Sequence, residues 1–97
     1  GTIAIGSVGG SVEAFIRLGA NEIKPVRLNG VSPGLIDTPM SPLEGAERAN
    51  YYQKGTSGHI IPHAGTADEV ASAPIFLLEN EFVSGTIVDV DGGAIAS

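Results

Sequence analysis

Strand patterns and helix patterns alternate along this chain, and that alternation restricts its fold more than any other feature. Ile3-Ala4-Ile5 is a short apolar run that breaks into Gly6-Ser7-Val8-Gly9-Gly10, as a buried strand does where it enters a turn. With Ser11 as its N-cap, a helical pattern follows in which Val12, Phe15, Ile16, Gly19, Ala20 and Ile23 share one face, and Pro25 stops it. Residues 26–32 place β-formers at alternate positions and end at Pro33-Gly34, a second strand. Thr66 opens a second helix, with Glu69 at the capping-box spacing and Val70, Ala73, Leu77 and Leu78 turned inward. Pro74 inside that pattern is expected to kink or shorten the helix. Residues 86–90 form a third strand, ended by Asp91-Gly92-Gly93. Helices placed between strands imply parallel strands joined by right-handed crossovers. The expectation is an α/β protein with three strands and two main helices.

The stretch from Leu35 to Thr66 is rich in Pro and Gly. Apart from a short helix expected within residues 43–54, it reads as one long connection, and connections of that length in a compact domain are usually functional lids or disordered. Three strands and two helices supply little cover for a parallel sheet, so the first strand is expected to be a bare apolar edge.

Charge and composition exclude several functions. A formal net charge of −6, with only five scattered Lys and Arg, does not suit a phosphate backbone, so no nucleic acid partner is expected. No apolar run approaches the ~20 residues of a membrane span, and the start carries no basic leader. Without cysteine the chain can form neither disulfides nor thiolate metal sites, which fits a cytoplasmic location. His59 and His63 lie in a Gly/Pro-rich loop with no nearby carboxylate, a poor metal site. They are read as exposed loop residues that could touch a substrate, and no metal is expected. Tyr51 and Lys54 can share a helix face but are read as surface residues.

Four segments, in order, carry a resemblance. Asn29-Gly30-Val31-Ser32-Pro33-Gly34-Leu35-Ile36-Asp37-Thr38-Pro39 resembles the Asn-x-Val-x-Pro-Gly-x-x-x-Thr stretch of short-chain dehydrogenases/reductases. The segment from Phe82-Val83-Ser84-Gly85 through Asp91-Gly92-Gly93 is similar to that family's last strand and its Asp-Gly-Gly turn. Ala67-Asp68-Glu69-Val70, and Glu13-Ala14-Phe15 running to Ala20-Asn21-Glu22, match as well. Together they cover nearly the whole chain.

The resemblance implies that residues 1–97 are the carboxy-terminal part of a single Rossmann-like, doubly wound domain, with residues 39–65 as its substrate lid. It implies NAD or NADP as cofactor, a small alcohol or ketone as substrate, and assembly as a homodimer or homotetramer. Ligands of such sheets sit beyond the carboxyl ends of the strands, where Pro33 fixes a turn and Gly34 lets the backbone approach a flat ring. The Ile36 backbone would read the nicotinamide carboxamide, and the Thr38 hydroxyl would reach the carboxamide or a phosphate oxygen. Ser7 would be the catalytic serine that donates to the substrate oxygen. Helix 12–23 and the last strand would form the subunit interfaces.

The chain also departs from the family. The acid/base Tyr and the Lys four residues later, which lowers the phenol from its usual pKa of ~10, do not occur as a pair anywhere in the sequence. The Gly-x-x-x-Gly-x-Gly turn that cradles a pyrophosphate is also missing. Family spacing implies a missing segment at the Gly9-Gly10 junction, a smaller one near Ile61-Pro62-His63-Ala64-Gly65, and further strands before Gly1. Two alternatives to an oxidoreductase follow. One is a catalytically inactive fragment or pseudo-enzyme that acts only in subunit association. The other is a small standalone α/β binding domain, whose open edge predicts aggregation.

Overall fold

The computed structural model describes residues 3–7 and 10–96, with side chains from residue 13 onward. In chain order the elements are β1 (Ile3–Ser7), α1 (Gly10–Glu22), β2 (Arg27–Pro33), β3 (Ile36–Asp37), α2 (Gly45–Thr56), β4 (Gly65–Thr66), α3 (Ala67–Glu79) and β5 (Ile87–Val90). The main sheet has the order β1-β2-β5, with every pairing parallel. β2 is central, in register from Ile3↔Arg27 to Ser7↔Val31 on one side and from Gly30↔Ile87 to Pro33↔Val90 on the other. β3 and β4 form a separate parallel pair.

Successive residues of a strand face opposite sides of a sheet, and β2 shows what each side meets. Leu28 faces α1 at Gly19, where an added Cβ would stand only 3.3 Å from its Cδ2. Val31, three positions on, turns the other way and packs with Ala73 and Leu77 of α3, flanked by Val83, Val88 and Val90. One helix therefore lies on each face, the arrangement of a doubly wound sheet.

Polar ties complete this frame. The last carbonyls of a helix need donors and favour a cation, yet α3 has no basic residue in its last turn. β2 supplies one: Arg27 Nη1 donates to the carbonyls of Leu77 (2.7 Å), Asn80 (3.0 Å) and Val83 (3.2 Å). Asn29, fully buried, donates through Nδ2 to the Val83 carbonyl (3.0 Å) and accepts at Oδ1 from the Thr86 amide (3.2 Å). The Leu28 amide donates to Ser84 Oγ, and the Gly85 amide donates to the Leu28 carbonyl. The loop before β5 is thus stitched along β2.

Several expectations need correction. Ser11 lies inside α1, not before it as a cap. Ile16 is buried, but Phe15 and Ile23 of the expected inward face are 66% and 41% exposed. Leu78 on α3 is likewise half exposed. Pro74 does not shorten α3, which runs on to Glu79. The lost bond is a single N–H to the Val70 carbonyl, and a complete Thr66–Glu69 capping box anchors the start of the helix. Within residues 35–66 the short helix expected over 43–54 is present as α2, whereas the β3–β4 pair was not expected.

Candidate active-site cleft

At the carboxyl ends of β2 and β5 a cavity of about 260 Å³ opens between the segment leading to β4 and the last glycine turn. Pro33 ends β2 opposite Val90, and the Gly34 amide donates to the Val90 carbonyl (2.9 Å). A Cβ on Gly34 would fall 2.7 Å from Asp91 Cα. The glycine is therefore needed for backbone contact with the end of β5. Asp91 in turn organises the final turn, its Oδ1 accepting from the Gly93 amide (2.9 Å) and its Oδ2 from the Ile95 amide (3.2 Å). Gly92 and Gly93 there have φ of 63° and 80°, values that side chains rarely allow. The Ile61 amide donates to the Gly92 carbonyl (2.8 Å), which ties the segment before β4 to this turn.

β3 lies along the same cleft. The Gly65 amide donates to the Leu35 carbonyl (3.0 Å), next to the Ile36↔Gly65 pair. In a parallel ladder a residue's own N–H and C=O point to one edge and those of its neighbours to the other. The Ile36 N–H and C=O therefore face away from β4, while its side chain lines the cavity.

Thr38, just past β3, is half-buried. Its carbonyl accepts from the Ser41 amide (3.1 Å) and from Arg48 Nη2 (2.7 Å), whereas its hydroxyl has no hydrogen-bond partner among the described residues. Arg48, on α2, also pairs through Nε and Nη2 with Asp37 Oδ1 and through Nη1 with the Leu43 carbonyl. The hydrogen bond to Asp37 raises the guanidinium's already high pKa.

His59 and His63, read from sequence as loop residues, both line the cavity. His63 Nδ1 lies 3.0 Å from the Ala64 carbonyl, so in a neutral ring it carries the hydrogen and leaves Nε2 as an acceptor. Glu69 also borders the cavity, but its Oε1 accepts from the Thr66 amide (2.9 Å). That backbone bond first, then the Thr66 side chain and the nearby His63, hold the Glu69 carboxyl below the usual range. Among the described residues, no group of three or more His, Asp or Glu could hold a metal ion.

Of the residues singled out in the sequence, Ile36 lines the cavity, Pro33 and Gly34 lie at the end of β2 outside its lining, and Thr38 lies one residue beyond β3. Ser7 ends β1 in register with Val31, but its side chain lies outside the described residues, as do residues 8 and 9 of the Gly9-Gly10 junction. Tyr51 and Lys54 are exposed on α2, where the Tyr51 ring meets the buried Tyr52 edge-on at 5.3 Å. Arg48 went unrecognised in the sequence. Its partner Asp37 is eleven positions away, a spacing that no helix or strand period marks.

Known proteins place this arrangement. The family model described as Enoyl-(Acyl carrier protein) reductase matches residues 3–94. The short-chain dehydrogenase/reductase ATR9 of Stachybotrys chlorohalonatus is 36% identical over 96 residues, spanning 97% of this chain and 37% of its own length. A 3-oxoacyl-acyl-carrier-protein reductase of Rattus norvegicus is 35% identical, spanning 96% of this chain and 38% of its own length. This chain thus spans well under half the length of these relatives. A crystal structure of a small-chain dehydrogenase in complex with NADPH superposes with a TM-score of 0.75 at 34% identity, over 90% of this chain and 40% of that one. Because the family match runs through the sheet, both faces and the cleft, the chain belongs to the short-chain dehydrogenases/reductases.

Proposed function

We propose that this chain serves a nicotinamide-dependent oxidoreductase, which moves hydride between NAD or NADP and a small alcohol or ketone. The observation that carries this reading is the main-chain pair of Ile36 beside the Thr38 hydroxyl, both without a partner among the described residues, at the carboxyl end of a doubly wound sheet. A carboxamide needs one donor and one acceptor, which Ile36 offers in its N–H and C=O, and Thr38 adds a hydroxyl for the carboxamide or a phosphate oxygen. When bound, the nicotinamide supplies or accepts the hydride. Pro33 and Gly34 hold the strand end against Asp91 and so set the height of Ile36. Ser7, at the end of the neighbouring strand, is assigned the hydrogen bond to the substrate oxygen. Proton transfer falls to a Tyr and Lys outside this sequence, which has no Tyr-x-x-x-Lys of its own.

The NADPH complex among the similar structures supports the cofactor class and leaves NAD and NADP equal choices here. No helix among the described residues is long and apolar enough to cross a membrane. A cytoplasmic enzyme is the reading adopted.

The test is equilibrium binding of NADPH and NADH to the full-length protein that carries this chain, followed by fluorescence, beside a Thr38→Val variant. An intact mass near 9.8 kDa would mean that the chain stands alone. Binding that weakens in Thr38→Val supports the reading, and a screen of alcohols and ketones follows. No binding of either nucleotide would favour the second reading, an inactive protein that acts in subunit association as a homodimer or homotetramer. That alternative is favoured by Phe15 and Leu18, which stand exposed on α1.

A further inference from the structure

Resting on that reading, we propose that Arg48 is a positioning residue, which locks the lid helix α2 to the Thr38 main chain and so sets the Thr38 hydroxyl before a nicotinamide arrives. Its guanidinium joins three segments. Nε reaches Asp37 Oδ1 at 2.8 Å in β3, Nη2 reaches the Thr38 carbonyl at 2.7 Å just beyond it, and Nη1 reaches the Leu43 carbonyl at 3.3 Å before α2. The Cζ atom stands 6.0 Å from the centroid of the Tyr52 ring, so a cation–π contact ties it to the helix's own buried aromatic.

Helix preference does not explain an arginine here. Arg48 lies in the first turn of α2, where the helix dipole disfavours a cation. The start of α2 also lacks a side-chain cap, since Glu44 stands at the N-cap without a cap hydrogen bond. Only Tyr52 and Thr56 of this helix are buried. Beside the Leu35 side chain, which packs so closely on Gly55 that an added Cβ would stand 2.7 Å from its Cδ2, a forked side chain that binds a carboxylate and two carbonyls at once is the polar tether of α2 to the strand end. Because one of those carbonyls belongs to Thr38, moving the lid moves the residue assigned to the cofactor.

The experiment compares wild type, Arg48→Met, Arg48→Lys and Thr38→Val in the full-length protein. It reads NADPH and NADH affinity by fluorescence, and amide hydrogen exchange of α2 and α3 by mass spectrometry. Arg48→Met is expected to weaken nucleotide binding about tenfold, the loss that goes with giving up one charge-assisted hydrogen-bond arrangement. Exchange in α2 should rise while α3 keeps its protection. Arg48→Lys keeps the charge but cannot span Asp37, Thr38 and Leu43 together, so it should recover thermal stability without recovering affinity.

Affinity unchanged in Arg48→Met while Thr38→Val binds weakly overturns the proposal and leaves the functional reading standing. Exchange rising equally in α2 and α3 overturns it too, because the role would then be merely structural. If neither variant alters binding, the functional reading fails and this one with it. Should Arg48→Met not fold, Arg48→Lys decides the matter: reduced affinity supports the proposal, and wild-type affinity overturns it.

Discussion

The β1-β2-β5 frame and the excursion from β3 to β4 hold themselves together by different means. The frame buries Ile16, Leu28, Val31, Ala73 and Leu77, and the fully buried Asn29 sits among them with its side-chain oxygen and nitrogen both hydrogen-bonded. In the excursion only Tyr52 and Thr56 are buried among the described residues. Its ties are the guanidinium of Arg48, the amide of Ile61 on Gly92 and a two-residue strand pair. Apolar burial has no partner in water to exchange with, whereas exposed hydrogen bonds trade readily with solvent. The frame is therefore the fixed part and the excursion the part able to open.

Stability measurements can break or sharpen that contrast. The largest effect is expected from Leu77→Ala, which empties a fully enclosed site and should cost about 4 kcal/mol in urea unfolding. Asn29→Ala comes next at about 2 kcal/mol, because it takes the acceptor from the partly buried Thr86 amide, while the Val83 carbonyl keeps its bond from Arg27 Nη1. Tyr52→Ala, in the excursion, should cost only about 1.5 kcal/mol, since α2 is exposed on most sides. If it matched Leu77→Ala, the two regions would not differ as described.

Two smaller effects concern the boundary between the regions. Thr66→Ala removes the cap of α3 and should cost about 1 kcal/mol by the same measurement. The smallest effect is a pH dependence. Glu69 has its pKa lowered in the folded state, so its contribution is fully present above the ordinary glutamate pKa and is lost as pH falls through the lowered value. Unfolding curves of Glu69→Gln against wild type, followed down in pH, should converge across that window. Curves that stay parallel would show that the carboxylate does not cap the helix.

Much of the frame is legible in the sequence because its signals are local. Pro33-Gly34 and Asp91-Gly92-Gly93 punctuate the strand ends, and the Thr66–Glu69 spacing announces α3. The strand pair β3–β4 is hidden, because two residues carry no period. Arg27 and Asn29 look like ordinary strand residues, since their partners lie more than fifty positions further on or close to it. Of the cavity lining, Ile36 could be named from the motif it belongs to. The places of His59, His63 and Arg48 depend on how the excursion folds back, which spacing alone does not encode.

The pairing of Ile36 with Gly65 brings the excursion back to the point where it left the sheet. A chain segment pinned at both ends behaves as a polymer loop, whose closure entropy rises only with the logarithm of its length. Doubling such a loop costs about 0.6 kcal/mol. Residues can thus be inserted or removed between the two short strands with little consequence for the sheet. The size and lining of the cleft are variables that the chain can change while its scaffold stays as it is.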